Sequence, residues 1–119
     1  MNKKSIARNR ALAYESQSHR CFYCSVQMWA RDSVAFALAI GAKGFSVADL
    51  QCTAEHALPR CNGGKHHRKN ILAACRRCNR LRHARKTPLP VAAYKAHVQA
   101  RVAAGRWHPK WVFSLGLCL

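Results

Sequence analysis

The sequence predicts an α+β fold: a β-hairpin running directly into a helix, with further helices before and after. Three observations predict it. Two short alternating segments, residues 51–56 and 70–74, flank a strong loop signal, Cys61-Asn62-Gly63-Gly64-Lys65. Apolar residues recur at helical spacing near both ends of the chain. Two C-x2-C pairs, Cys21 with Cys24 and Cys75 with Cys78, bracket the predicted hairpin.

Taken in order, residues 3–18 carry Ile6, Arg10, Ala13 and Tyr14 at helical spacing, which predicts a basic first helix ending before Cys21. Val26-Gln27-Met28-Trp29 reads as a short strand leaving the first cysteine pair. Ser33 is the expected N-cap of a helix through Phe36, Leu38 and Ile40, stopped by Gly41 and Gly44. Ser46 is placed to cap a short turn from Ala48 to Leu50. The hairpin strands follow, the first closed by Pro59. From Cys78 to Lys86 the sequence predicts a basic helix, broken by Thr87-Pro88-Leu89-Pro90. A last helix is expected over residues 91–104, with Val91, Tyr94, Val98 and Val102 on one face. Pro90 sits at its first turn and Gly105 just past its end, the usual asymmetry. At 119 residues the chain is expected to be a single domain. It divides into a basic N-terminal helix (1–20), a stapled core (21–86), and a C-terminal helix and tail (87–119).

Seven cysteines form an odd set, which fits poorly with a complete disulfide framework. Two C-x2-C pairs at the ends of one small basic domain predict a tetrahedral zinc site made by Cys21, Cys24, Cys75 and Cys78. Four thiolates leave no open position, so this zinc is structural. Cys52, Cys61 and Cys118 are left over as reduced thiols, which favours a reducing cytoplasm. No secretory signal is expected, and the longest apolar run, residues 34–40, is too short to span a bilayer.

Lys and Arg number 21 against 4 Asp and Glu, a net charge of +17, so a small neutral ligand is a poor match and a polyanion a good one. The 50% apolar content excludes a disordered basic tail. Lys65, Arg68 and Lys69 lie on the central loop, and Arg76, Arg77, Arg80, Arg82 and Arg85 on or beside the following helix. This one-signed set is expected to contact nucleic-acid phosphates, giving affinity and register rather than sequence choice. Lys3, Lys4, Arg8 and Arg10 add charge on the first helix, and Arg101, Arg106 and Lys110 near the tail. Trp107 and Trp111 are expected to pack the terminus onto the core rather than to stack on bases.

Phosphodiester hydrolysis needs a base to activate water and a cation to balance charge developing on phosphate. His56 suits the base, with an unperturbed pKa near neutrality. Glu55 beside it is a hard oxygen ligand suited to Mg²⁺, and Asn79 can supply a second oxygen. Asn70 can hold His56 by hydrogen-bonding its ring or backbone. His66 and His67 are expected to be solvated or to face phosphate, while His19, His83, His97 and His108 show no partner pattern.

The order Glu55-His56, Pro59, Gly63-Gly64, Asn70-Ile71, Cys75-x-x-Cys78-Asn79 resembles the HNH endonuclease family, the ββα-metal nucleases, from Gln51 to about Arg85. With the outer pair Cys21 and Cys24, it resembles the zinc-stapled members. The resemblance implies a hairpin packed on one helix with one catalytic divalent cation, Mg²⁺ or another. By position it implies His56 as general base, Glu55 and Asn79 as metal ligands, and Asn70 as the residue orienting the base. Glu55 stands where many members have Asp or His, and Asn79 where others have a final His, which leaves the metal preference open. The expected function is DNA cleavage, with RNA left open as a partner. The alternatives are a zinc module that binds nucleic acid without cutting it, and an RNA-associated structural protein.

Overall fold

Two five-residue strands pair antiparallel at the centre of the molecule, β1 (Cys52–His56) with β2 (Ile71–Cys75). The register sets Cys52 opposite Cys75, Glu55 opposite Leu72 and His56 opposite Ile71. The computed structural model describes residues 3–58, 64–65 and 67–118. The expected loop residues Pro59, Cys61, Asn62, Gly63 and His66 lie outside the described residues. Around the hairpin stand α1 (Lys3–Ser16), α2 (Ser33–Ile40), α3 (Arg76–His83), α4 (Val91–Ala103) and α5 (Lys110–Ser114). The α+β class and the hairpin-plus-helix core are as the sequence predicts.

Helix α1 packs on the hairpin through Ala13 and Tyr14, and the residue after the helix, Gln17, ties it to β2. Gln17 Nε2 donates to the Ala73 carbonyl at 2.8 Å, and its Oε1 accepts from Ala73 N–H at 3.0 Å. The amide thereby pairs with β2 as a neighbouring strand would, satisfying backbone groups at the sheet edge. β2 then runs straight into α3, because Cys75 caps that helix with its own sulfur, accepting from Cys78 N–H at 3.4 Å. The helix therefore begins at Arg76, earlier than the sequence predicts, and ends at His83, short of Lys86.

Other local expectations shift by small amounts for identifiable reasons. α2 is capped by Asp32, not Ser33, since the carboxylate one residue earlier accepts from Ala35 N–H at 3.0 Å. Gly41, at φ 73°, ends the helix in the left-handed conformation glycine tolerates. Ser46 does accept from Ala48 N–H, at 3.3 Å, ahead of the 3₁₀ turn Ala48–Leu50. Residues 26–29 form no strand. They make isolated bridges at Gln27 with Arg20 and at Trp29 with Gln51, and Gln27 N–H goes to the Leu117 carbonyl. That segment is spread among three partners, so no ladder forms. α5, behind Pro109, was not anticipated in the tail.

The core is threaded by Tyr23, Val26, Leu50, Ala73, Val98, Val112 and Leu117, all buried. Burying a side chain such as Val98 is worth about 1.5–3 kcal/mol. Trp107 is buried and Trp111 half-buried in line with the packing role expected of them. No helix among the described residues is long and apolar enough to cross a membrane.

Candidate functional site

Two chemical centres flank α3. At its N-terminus, the ligand atoms of Cys21, Cys24, Cys75 and Cys78 all lie within 4.8 Å of one another, and all four residues are buried. Cys24 Sγ and Cys75 Sγ are 3.8 Å apart. A tetrahedron with metal–sulfur bonds of about 2.3 Å has an edge of about 3.8 Å, so the spacing fits a four-thiolate metal site. Backbone N–H groups already point at the sulfurs: Tyr23 and Cys75 donate to Cys21, and Cys78 to Cys75. The four cysteines are positioned to bind a metal ion. Cys52 and Cys118 are free thiols. Burial pushes Cys52 up to about 12, which keeps it protonated and unreactive. Cys61 lies outside the described residues.

The second centre lies where β1 meets the last turns of α3. Glu55, only 1% exposed, carries a carboxylate with three side-chain partners. Tyr23 donates its phenol to Oε2 at 3.1 Å, and Arg82 Nη1 reaches the same oxygen at 3.1 Å. His83 Nε2 approaches Oε1 at 2.7 Å. Burial, followed by the Glu55 carboxylate, holds the Tyr23 phenol well above its ordinary pKa, so it stays a donor. Asn79 lies one turn before His83, and its amide donates to Thr53 Oγ1 at 3.0 Å and to the Ala54 carbonyl at 3.2 Å. Its NH₂ is spent on β1, so Oδ1 is the atom left for a cation.

Arg82 corrects an expectation. The sequence grouped it with the phosphate-contacting arginines, yet it is 1% exposed. Besides Glu55, its guanidinium donates to the carbonyls of His56 (3.1 Å), Ala57 (3.1 Å) and Leu89 (2.9 Å), and to the Tyr23 hydroxyl (3.3 Å). Position 82 faces inward because α3 turns the same face to the hairpin that carries Cys78. A five-donor planar group is what a buried cluster of carbonyls and one carboxylate can satisfy.

Asn70 also acts one step away from where it was expected. Its Oδ1 accepts from Leu58 N–H at 2.7 Å, and its Nδ2 donates to the carbonyls of Leu58 (3.1 Å) and Lys65 (2.7 Å). It ties together the two ends of the loop that follows His56, and does not bond the ring. His56 ends β1 half-buried, with its carbonyl held by Arg82.

His83 is the residue that sequence reasoning missed. The signal was present: Asn79 and His83 stand at i and i+4, the spacing that aligns two side chains on one helix face. His108 was missed as well, since its Nε2 lies 3.2 Å from Cys24 Sγ.

Lys65, Arg68, Lys69, Arg76, Arg80 and Arg85 are exposed. Arg77 is less available, half-buried over the Trp107 ring at 5.6 Å and 3.9 Å from Asp49. All four acidic residues are engaged locally. Glu15 pairs with His19, Asp32 caps α2, Asp49 meets Arg80 at 3.4 Å and Glu55 is buried. With 21 Lys and Arg against these four, the net charge of the surface is positive. A cavity of about 700 Å³ between α1 and the residues leading into α2 is lined by none of Glu55, His56 or His83.

Residues 42–85 match the sequence model of one protein family, described as HNH endonuclease. No curated protein and no solved structure matches the chain.

Proposed function

We propose, from the premise that residues 42–85 form an HNH endonuclease domain, that this chain is a metal-dependent endonuclease acting on DNA. The observation that carries the reading is the Glu55 Oε1–His83 Nε2 contact at 2.7 Å, adjoining His56 in sequence. A carboxylate and an imidazole on neighbouring elements are a donor pair for a divalent cation, with Asn79 Oδ1 as a third. When bound, such a cation supplies charge stabilisation to phosphate.

The chain's own residues do the rest. His56 accepts the proton of the attacking water. Asn70 braces the loop behind His56, and Arg82 fixes the carbonyls of His56 and Ala57, so the base does not drift. Lys65, Arg68, Lys69, Arg76, Arg80 and Arg85 hold the backbone of the nucleic acid. Zinc at Cys21, Cys24, Cys75 and Cys78 is structural. Unpaired cysteines fit a reducing compartment, and we assign the protein to the cytoplasm.

The imidazole in the donor pair sharpens the cation. Imidazole suits Ni²⁺, Fe²⁺ and Zn²⁺ better than Mg²⁺, which prefers all-oxygen sites. Protein stripped of its exchangeable cation but retaining the cysteine-bound zinc should therefore regain plasmid cleavage with Ni²⁺ at lower concentration than with Mg²⁺. His83→Ala should raise the concentration needed by at least about tenfold. Equal metal dependence in His83→Ala would remove His83 from the cation site.

A second reading has an observation of its own. Glu55 Oε2 is held by both Tyr23 and Arg82, as in a purely structural buried ion pair. On that reading the chain binds nucleic acid without cutting it, and no divalent cation produces cleavage.

A further inference from the structure

The sulfur cluster is also reached from a segment that belongs to neither C-x2-C pair. Trp107 Nε1–H donates to Cys78 Sγ at 3.2 Å, and His108 Nε2 lies 3.2 Å from Cys24 Sγ. Two consecutive residues thus each contact one cysteine, one from each pair. Both side chains are buried, Trp107 at 7% exposure and His108 at 5%. His108 Nδ1 is buried with no hydrogen-bond partner, so the contact with sulfur is the polar interaction that orients this ring. Leaving a buried ring nitrogen unpaired is costly, and the imidazole is held there all the same.

We propose that Trp107 and His108 are outer donors of the metal site, making metal retention and docking of the C-terminal segment one coupled event. The proposal rests on the reading of the four cysteines as a metal site. Four thiolates on a divalent ion carry two excess negative charges into a buried site, and N–H···S bonds from indole and imidazole spread that charge. Outer partners of metal ligands are typically worth 10–100-fold in affinity. The segment that delivers them is anchored independently, with Val112 and Leu117 buried and the Leu117 carbonyl accepting from Gln27 N–H at 2.9 Å and Arg20 Nη1 at 3.2 Å. Coupling of this kind is reciprocal: whatever the docked segment adds to metal affinity, the metal adds to docking.

The test uses the full chain loaded with zinc and, separately, with Co²⁺, in four forms: unaltered, Trp107→Phe, His108→Leu and His108→Gln. Phe keeps an aromatic ring while removing the N–H, and Gln keeps a donor near the Nε2 position. Metal transfer to a chromophoric chelator should run about tenfold faster for Trp107→Phe and His108→Leu, with His108→Gln restoring most of the loss. In the cobalt forms the thiolate-to-metal charge-transfer band should move to lower energy in the same two variants. The ligand-field bands should keep their four-thiolate pattern. Unchanged release and unchanged charge-transfer energy in both variants would overturn the proposal, because a packing role alone moves neither in concert. A changed ligand-field pattern in His108→Leu would overturn it differently, by making His108 a direct ligand. Failure of the unaltered chain to bind either ion would instead defeat the underlying metal-site reading.

Discussion

The two ends of α3 solve the problem of a buried polar cluster in different ways. At the N-terminal end, four like groups converge and their charge is balanced by whatever ion they share, with N–H donors around the rim. At the C-terminal end, one carboxylate is balanced by protein groups alone: a phenol, a guanidinium and an imidazole. The first arrangement is built to share an ion. The second meets its carboxylate with protein groups, one of which, His83, is partly exposed. A structural centre is served by the first design. A centre that must take up and release a cation and a substrate is served by the second.

The largest expected effect breaks the first end. Cys75→Ser removes a metal ligand while leaving a hydroxyl able to cap α3, so the protein should lose its bound zinc, about one per chain, and with it its cooperative unfolding transition. Metal analysis and circular dichroism read both, and a folded, metal-free variant would show that the cluster is not a staple.

The next effect belongs to the other end. Arg82→Leu leaves Glu55 buried without its guanidinium partner, and should cost roughly 3–5 kcal/mol in denaturant unfolding. Replacing Glu55 by Leu as well should recover part of that loss, since the penalty comes from the orphaned charge. A double variant less stable than the single one would mean that Arg82 works chiefly through the His56, Ala57 and Leu89 carbonyls.

The smallest effect concerns the surface both ends share. On duplex DNA the slope of log affinity against log salt should flatten by about 0.9 in Arg76→Ala if that exposed side chain neutralises one phosphate. Arg77→Ala should flatten it less, because its guanidinium already lies over Trp107 and near Asp49. Equal slopes for the two variants would place Arg77 on the backbone after all.

The same contrast explains what the sequence made legible. Ligands delivered as C-x2-C pairs announce themselves by local spacing, so the cysteine site could be named in full. The hairpin and α3 were legible for a related reason, alternating strands meeting a loop-rich segment and then a capped turn. Glu55's partners were not, because Tyr23 and Arg82 come from distant segments and nothing local marks an arginine as inward-facing. His83 is readable from its i, i+4 relation to Asn79, but it shows no partner pattern in the sequence, because the carboxylate it meets, Glu55, lies 28 residues earlier. Trp107 and His108 meet the sulfurs only through the packing of the C-terminal segment, which no spacing rule encodes.

The central claim is that the hairpin end of α3 performs hydrolysis, and His56 tests it most directly. Purified His56→Ala and unaltered protein should be compared on plasmid with saturating divalent cation, with DNA affinity measured in parallel in Ca²⁺. Cleavage should fall by at least about a hundredfold while affinity stays the same, because the substitution removes a general base and no phosphate contact. Cleavage by His56→Ala at the unaltered rate would contradict the account.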